Sequence, residues 1–463
     1  KECILTLFGN PYALNLFNLA HFSSIIVGYE PFPVIVECAM DALLGRSIFE
    51  GQLPVSIHEY PAQSGITPIP EQNKFANALT HDIDVLVEKA IKDTIIPGCQ
   101  IMAIHDGKVI FDKCYGYLTY EKKIPVTSNT LYDIASLTKV TATTLAVMKL
   151  YDEKKLKLSD KVSLYLPYLA KTNKANITLA ELLTHTSGLV PFIPFYQSIA
   201  NKGIWDEQYL SSTPSETFTV EVAKDCWLHA DYKTKIHQSI ADSKMGDKKY
   251  RYSDLNFLLL QEIIETITKE TLDQYITKHF YKPLDLKHLC FNPLTNNFTL
   301  QDIAPTEKDD LFRKQLVCGY VHDQTAAIMG GVCGNAGLFA NAHDLAVIFQ
   351  MLSQDGAYQD IRYLSKSTVS YFKKPYSINS CKRRGLGFDV PDNEGQNILP
   401  KTASPHTYGH TGFTGTVVWC DPKKDLIYIF LSNRIYPSTT PNKLANSKLR
   451  LKVQEVFYKY IDE

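Results

Sequence analysis

The sequence predicts an α+β protein in which a sheet-containing domain is interrupted by a largely helical segment. Two hairpin patterns, one centred near residue 106 and one near residue 421, carry most of this prediction. Several amphipathic stretches with helix-start signals lie between the two hairpins. Strands at both ends with helices between favour a split sheet with a helical insertion.

Each hairpin is marked by its turn. "GCQIMAIHDGKVIFDKCYGY" contains Asp106-Gly107, the strongest short hairpin signal. "TGTVVWCDPKKDLIYIFLSN" turns at Asp421-Pro422 and precedes "NKLANSKLRLKVQEVFYKYIDE", which is predicted to be one C-terminal helix. Helices are also predicted for "ALTHDIDVLVEKAIKD", for the stretch after "DIASLTK", for "ITLAELLTHTSGL", and for "SDLNFLLLQEIIETITK", with Ser253 or Asp254 as its N-cap.

The chain is predicted to have three parts. Residues 1–58 alternate strand-like and helical stretches, as a small α/β unit with a parallel sheet does. Residues 59–75 are rich in proline and read as a linker, and residues 76–463 form the main domain. The chain begins almost inside a strand, without the basic and long apolar segments of a secretory signal, and we therefore expect it to be part of something longer.

Composition excludes several classes of function. A formal net charge of −1 gives no electrostatic reason to expect nucleic acid or an anionic membrane as a partner. No apolar run reaches the roughly 18 residues that a membrane-spanning helix needs. The 10 cysteines form neither a CxxC pair nor a Cys/His cluster at zinc spacing, so neither a metal nor another cofactor is expected.

The most informative motif is "DIASLTK", which places Ser136 three residues before Lys139. Side chains at i and i+3 meet on a helix, so the lysine could activate the serine as a nucleophile. The pattern alone is weak, because Ser370 and Lys373 repeat it in "SYFK", which reads as an ordinary helix end. From this stretch by itself, a helix N-cap and a nucleophile are equally good interpretations of Ser136.

Two further motifs follow in order along the chain. "YRYSDLNF" places Tyr252 and Asp254 at a helix start, where the tyrosine could act as a base if neighbouring cations lower its pKa. "YGHTGFTGTVVW" places His410-Thr411-Gly412-Phe413 before a strand, where small residues admit a substrate and an amide can stabilise an oxyanion. "KTA" at 401–403 lacks the glycine of such a box and is rejected.

In this order the three motifs resemble those of the serine β-lactamase and penicillin-binding protein superfamily. The stretches "NTLYDIASLTKV", "LLTHTSGL", "GGVCGNAGLF", "RRGLGFD" and "GHTGFTGTVVWCDP" extend the resemblance over nearly all of residues 76–463. The class C-like branch, with its esterases and D-alanyl-D-alanine peptidases, is the most similar. The resemblance implies a β-lactamase-like fold: an antiparallel sheet flanked by helices, plus an all-helical domain.

The resemblance also implies roles for individual residues. Ser136 would be acylated, Lys139 would accept its proton or tune its charge, and Tyr252 would relay the proton to the leaving group. The amides of Ser136 and Phe413 would form the oxyanion hole. The substrate would be a small molecule or a peptide, and the location would be periplasmic or extracytoplasmic.

Two residues depart from the class C pattern. Asp254 replaces an asparagine that would contact the substrate amide, and a carboxylate beside Lys139 should keep that lysine charged. His410 replaces the lysine of Lys-Thr-Gly, which makes a cationic anchor dependent on pH near neutrality. These changes favour esterase or peptidase chemistry over efficient antibiotic degradation. A catalytically weak, penicillin-recognising scaffold domain is the alternative.

Other candidates are interpreted as structural or left without a role. His185 in "LLTHTSGL" and His322 in "VHD" are expected to be structural histidines. Asn335 stands where many relatives of this superfamily have histidine, and the sequence suggests no function for the change. The sequence does not indicate an oligomeric state.

The first block has a resemblance of its own. "FGNPYAL", "GYE" and "GRSIFEGQLPVSI" are similar to the end of a glycoside hydrolase family 3 protein of the β-N-acetylglucosaminidase type. That resemblance implies a fusion between a cell-wall glycosidase and the hydrolase. Residues 1–58 would then be its C-terminal remnant, without the catalytic carboxylate of the upstream barrel.

Overall fold

The structure is a computed structural model. It describes residues 4–19, 22, 24–43, 51, 53–57, 60–62, 70–378, 384–391 and 398–462. The chain forms two compact units, 1–81 and 82–463. Much of the predicted linker, including residues 63–69, lies outside the described residues. The predicted domain limits at 58 and 76 therefore stay predictions.

The first unit contains a two-stranded parallel sheet. Strand β1 (Ile4–Leu7) pairs in parallel with β2 (Ser24–Val27), as the alternation of strand-like and helical stretches suggests. A 3₁₀ helix, Pro11–Leu16, lies between the strands, and α1 (Pro33–Leu43) follows them. The apolar cluster of this unit is small, consistent with the limited surface that so few residues can bury.

Helix α2 (Pro70–Lys92) crosses the boundary between the units. The remaining strands are β3 (Gly98–His105), β4 (Lys108–Gly116), β5 (Tyr132–Asp133), β6 (Ala200–Asn201), β7 (Ile204–Trp205), β8 (Leu210–Ser211), β9 (Phe218–Ala223), β10 (Cys226–His229), β11 (Leu289–Phe291), β12 (Lys308–Asp309), β13 (Gln315–Leu316), β14 (Leu338–Ala340), β15 (Ala357–Tyr358), β16 (Ile361–Arg362), β17 (Tyr408–Thr411), β18 (Val417–Asp421) and β19 (Leu426–Ser432). The remaining helices are α3 (Thr144–Asp152), α4 (Val162–Tyr165), α5 (Leu179–Leu183), α6 (Tyr232–Asp242), α7 (Leu255–Thr268), α8 (Leu272–Ile276), α9 (Gln324–Ile328), α10 (Ala342–Ser353), α11 (Lys366–Lys373), α12 (Lys443–Ser447) and α13 (Leu449–Asp462).

The central sheet of the second unit has five antiparallel strands in the order β17-β18-β19-β3-β4. Strands from the two ends of this unit therefore form one sheet, which confirms the predicted split. The early hairpin turns at Asp106 and Gly107, with φ values of 50° and 72°, the left-handed backbone that a two-residue turn of this kind requires. The late hairpin turns directly after Asp421, as predicted.

Helices cover both faces of this sheet. On one face, Phe457 of α13 makes edge-on and tilted ring contacts with Phe111 of β4 and Tyr428 of β19. On the other face, α10 packs against β3 and β19. Because side chains alternate along a strand, a sheet covered on both faces needs strands that are apolar throughout, and all seven residues of β19 are buried. This is the predicted α+β, β-lactamase-like arrangement.

One local prediction is wrong. The C-terminal segment forms α12 and α13 rather than one helix, because Lys448 between them has a left-handed backbone with φ of 56°. The stretch between Leu189 and Tyr250 contains β6–β10 and α6. No helix among the described residues is long and apolar enough to cross a membrane.

Candidate active site

Ser136 lies on an unusual helix entry. Strand β5 leads into a 3₁₀ turn, Ala135–Leu137, followed by a π-helical turn, Lys139–Thr143, before α3 begins. Ala135 has a left-handed backbone with φ of 47°, which is costly for a residue with a Cβ. The buried carboxylate of Asp133 accepts the Ala135 amide at 2.8 Å and holds this strained turn. The simple helix start that the sequence suggested is therefore wrong.

The Ser136 hydroxyl contacts two functional side chains. Its Oγ lies 3.0 Å from Lys139 Nζ and 3.0 Å from the Tyr252 hydroxyl. Ile134, not Ser136, occupies the N-cap position of the 3₁₀ turn. The hydroxyl therefore belongs to a polar cluster, and the N-cap interpretation of Ser136 is not supported.

Lys139 is fully buried, and its three donor directions are all used. Besides Ser136 Oγ, its Nζ donates to Asp254 Oδ1 at 2.7 Å and to the Asn335 carbonyl at 2.9 Å. Burial alone would lower the pKa of Lys139, but the Asp254 carboxylate and the Tyr252 hydroxyl raise it above its ordinary value. The lysine is therefore a cation at neutral pH, as the acidic neighbour predicted.

Tyr252 is positioned by a histidine behind it. The rings of His185 and Tyr252 stack with centroids 4.3 Å apart. The His185 Nδ1 accepts the Ser253 amide at 3.1 Å and pairs with Asn256 Nδ2 at 2.9 Å. Burial raises the pKa of Tyr252, and this outweighs the lowering by Lys139. A lowered pKa, which the sequence analysis required of a tyrosine base, is therefore not found, and Tyr252 is a neutral phenol at rest.

The predicted N-cap position is confirmed, because Asp254 is the N-cap residue of α7. Its side chain, however, makes no capping hydrogen bond and instead pairs with Lys139. The Ser253 hydroxyl donates to the Val190 carbonyl at 2.6 Å. The Asp254 carboxylate thus serves the polar cluster rather than the helix.

The turn after β17 is fastened to the backbone just before Ser136. Thr414 Oγ1 donates to the Asp133 carbonyl at 2.7 Å. Gly412 lies very close to the backbone of Ile134: a Cβ at this position would be 2.6 Å from the Ile134 carbonyl oxygen. Only glycine, which has no Cβ, avoids this clash. These contacts bring the Phe413 segment beside Ser136, as an oxyanion hole made from both amides requires.

The Phe413 side chain is half-exposed and sandwiched. Its ring stacks on the His322 ring, with centroids 5.6 Å apart. The Arg434 guanidinium lies 4.5 Å from the centre of the Phe413 ring and makes a cation–π contact with it. Arg434 Nε also donates to the Phe413 carbonyl at 2.9 Å. Both contacts restrain the residue whose amide is the second candidate oxyanion donor.

His410 is buried and neutral. Its Nδ1 lies 2.7 Å from the Thr411 carbonyl, and its Nε2 is 3.8 Å from Asp389 Oδ2, which is beyond hydrogen-bond distance. Burial lowers the pKa of His410 to about 4, despite the opposing effect of Asp389, which is itself paired with Arg384. The predicted cationic anchor titrating near neutrality is therefore wrong, and the imidazole is uncharged at pH 7.

The second Ser-x-x-Lys pattern has a structural environment. Ser370 and Lys373 lie in α11, and Lys373 donates to the Leu352 carbonyl at 3.0 Å and pairs with Asp355.

Within the described part of the chain, no group of histidine, cysteine and acidic side chains could hold a metal ion. Two further groups that the sequence did not predict support the Ser136 segment: the Asn335 carbonyl, which contacts Lys139, and the Asp133 carboxylate, which accepts the Ala135 amide. A backbone carbonyl such as that of Asn335 leaves no signal in a sequence.

The fold and this cluster define a class: serine hydrolases with a penicillin-recognising fold. Residues 83–450 match the Beta-lactamase family, so the chain belongs to that family. A "Putative D-alanyl-D-alanine carboxypeptidase" of Salmonella typhi is 32% identical over 421 residues, covering 84% of this chain and 91% of that protein. The family and this relative support a serine hydrolase that acts on a β-lactam or a peptide.

Two solved structures share the fold. One is EstCE1, a hydrolase with promiscuous acyltransferase activity, at 19% identity and a TM-score of 0.62, covering 83% of this chain and 99% of that chain. The other is a class C beta lactamase, at 18% identity and a TM-score of 0.59, covering 82% of this chain and 98% of that chain. At these identities the likeness concerns the fold alone.

Proposed function

We propose that this protein is a serine peptidase of D-alanyl peptides that works through an acyl-enzyme on Ser136. The observation that carries the proposal is the position of Ser136 Oγ, 3.0 Å from both Lys139 Nζ and the Tyr252 hydroxyl. A hydroxyl between a cation and a phenol can lose its proton while its developing charge is stabilised.

In the first step Ser136 Oγ attacks the substrate carbonyl carbon and a carbon–oxygen bond forms. The carbonyl electrons move onto the oxygen, which the amides of Ser136 and Phe413 bind. The Ser136 proton passes to the Tyr252 hydroxyl as Tyr252 gives its own proton to the leaving amine, and the carbon–nitrogen bond breaks. A neutral phenol suffices for such a relay, because it accepts one proton while donating another.

Lys139 stays protonated throughout this scheme. Its charge lowers the free energy of the developing serine alkoxide, and Asp254 and the Asn335 carbonyl fix its direction. Water then attacks the acyl carbon, Tyr252 relays a proton from that water to Ser136 Oγ, and the bond between the acyl carbon and Oγ breaks to release the carboxylic acid. The neutral His410 contributes shape and packing beside the Thr411-Gly412 segment rather than charge.

The substrate class is supported by the carboxypeptidase-named relative and by the first block's resemblance to a cell-wall glycosidase. Both resemblances favour a role in cell-wall metabolism and a periplasmic or extracytoplasmic location. The assignment of residues 1–58 to a glycoside hydrolase family 3 remnant is part of the same proposal.

The decisive experiment is active-site labelling with a fluorescent penicillin and a fluorophosphonate. We expect the wild type and the matched control Ser370→Ala to be labelled and Ser136→Ala not to be. Label on Ser136→Ala, or none on the wild type, would contradict the proposal.

A substrate panel then ranks the activities. D-Ala-D-Ala peptides, p-nitrophenyl esters and nitrocefin should give peptide and ester cleavage with slow β-lactam turnover. Fast nitrocefin hydrolysis with negligible esterase activity would contradict this order. Labelling without turnover of any substrate would favour a penicillin-recognising scaffold.

A further inference from the structure

A small cavity adjoins the Lys139–Asp254 pair. It has a volume of about 170 Å³ and is lined by Asp254, Asp323 and Asn335 on its polar side. Phe192 and Tyr196 belong to its apolar wall. Asp254 and the Asn335 carbonyl both contact Lys139 Nζ, so the cavity wall is two contacts from Ser136 Oγ. The cavity therefore lies close to the position that a substrate would occupy at Ser136.

The charges around this cavity do not balance. The Lys139 cation is paired with Asp254 at 2.7 Å, which leaves Asp323 as a second carboxyl group. Asp323 accepts the Ala326 amide at 2.8 Å and the Asn335 Nδ2 at 3.4 Å, both from neutral donors. No lysine or arginine among the described residues forms an ion pair with it. Burial and the nearby Asp254 raise the pKa of Asp323, and this outweighs the lowering by Lys139, which is paired with Asp254.

An unsatisfied acceptor lines the same cavity. Asn335 is 1% exposed, and its Oδ1 accepts no hydrogen bond from the part of the chain that the structure describes. A buried amide oxygen without a donor is costly, and a hydrogen-bond donor supplied by a ligand would remove that cost. Asn335 Oδ1 needs a hydrogen-bond donor, and the Asp323 carboxyl group has no cation paired with it. One positively charged donor group would satisfy both.

The apolar wall fits the same kind of ligand. Phe192 is 63% exposed, so its ring is accessible to a ligand in the cavity. An aromatic face near an acidic cavity attracts cations and packs against the methylene groups that carry them. The small volume suits one side chain or one chain terminus.

We propose that this cavity binds a primary ammonium group of the substrate, with Asp323 and Asn335 Oδ1 as the acceptors. This inference rests on the proposed function, because it places the substrate at Ser136. The ammonium can come from a free N-terminus or from a diamino side chain, and the two sources share the same chemistry. Asp323 and Asn335 are thus specificity-determining residues rather than members of the proton relay.

The test measures binding without turnover, by calorimetry on the full chain carrying Ser136→Ala. One peptide pair is D-Ala-D-Ala against its N-acetyl form, which removes the terminal ammonium. The second pair is Nα-acetyl-D-Lys-D-Ala against Nα-acetyl-D-norleucyl-D-Ala, which replaces the side-chain ammonium by a hydrogen atom and keeps the four side-chain carbons. We expect the charged member of at least one pair to bind about tenfold more tightly or better, and the pair concerned identifies the source.

Asp323→Asn in the same background should reduce that preference to about threefold or less, since it removes the charge but keeps an acceptor for the Ala326 amide. Asp285→Asn, which alters a side chain 83% exposed to solvent, should leave the preference unchanged. Equal binding within both pairs, no binding of any peptide, or a preference that survives Asp323→Asn would overturn the inference.

The outcome is separable from that of the labelling experiment. A chain labelled at Ser136 without a preference for ammonium refutes the cavity inference alone. A chain that prefers ammonium peptides but is not labelled refutes the acyl-enzyme alone.

Discussion

Lys139 Nζ lies 2.7 Å from Asp254 Oδ1, and this contact sets the charge state of the whole cluster. The lysine is fully buried and would by itself favour its neutral form. The carboxylate reverses that tendency, so the group that contacts Ser136 is a cation. Asp254 thereby makes Lys139 an electrostatic stabiliser rather than a free base.

Replacement of this carboxylate should introduce a titration that the wild type lacks. Asp254→Asn removes the main charge that raises the pKa of Lys139, and burial then lowers that pKa below the ordinary value. We expect the rate of fluorophosphonate labelling at Ser136 to fall with rising pH in Asp254→Asn, at values below the ordinary lysine pKa of about 10.4, as the lysine loses its proton, but not in the wild type. Asp285→Asn is the control, and identical pH profiles for Asp254→Asn and wild type would refute the role of the pair.

The Tyr252 hydroxyl can be removed without disturbing its ring. In Tyr252→Phe the ring keeps its stack on His185, so the melting temperature should change by no more than about 2 °C. The rate of Ser136 acylation should fall by about 10²- to 10⁴-fold, because the proton relay is lost. Tyr165→Phe, which removes a hydroxyl bonded to Asp160 at 2.7 Å, is a matched control. Unimpaired acylation in Tyr252→Phe would show that another group moves the proton.

Acid should destabilise the fold through His410. Its pKa is about 4 in the folded protein and about 6.5 when unfolded, so the unfolded chain binds the proton first as the pH falls. The contribution of neutral His410 to the free energy of unfolding is complete above pH 6.5 and is lost progressively down to pH 4. At pH 4.5 the loss is roughly 2 to 3 kcal/mol. Urea unfolding at pH 7 and 4.5 measures it. Between pH 7 and pH 4.5, the free energy of unfolding of His410→Asn should fall by roughly 2 to 3 kcal/mol less than that of the wild type. An equal fall in both proteins would contradict the prediction.

The sheet and the serine cluster could be predicted because they depend on local patterns. The Asp106-Gly107 turn and the continuous apolar run of β19 identify strands without tertiary information. The spacing of Ser136, Lys139 and Tyr252, with the His-Thr-Gly segment, identified the residues that meet. These signals lie in side-chain type and order along the chain.

The charge states and the supporting contacts could not be predicted, because they arise from tertiary packing. His410 reads as a neutral-pH switch until its burial is known. The Asn335 carbonyl binds Lys139 through the backbone, which any residue could supply. Asp254 has the sequence signature of a helix cap, yet the cation that reaches it comes from 115 residues away along the chain.

The Gly412→Ala variant tests whether the Phe413 amide must lie beside Ser136 to stabilise the oxyanion. An added methyl group in Gly412→Ala would lie 2.6 Å from the Ile134 carbonyl oxygen and 2.0 Å from Thr416 Oγ1. Because the backbone oxygen cannot turn aside as a flexible side chain can, the turn must move away from Ser136. We expect Ser136 acylation to slow by about 10²-fold or more, the typical effect of losing one oxyanion donor, with a stability loss of about 1 to 3 kcal/mol. Gly51→Ala, at a position with no atom within 4 Å of the added Cβ, is the control for the substitution itself. If Gly412→Ala is destabilised but acylates Ser136 at the wild-type rate, the Phe413 amide is not an oxyanion donor.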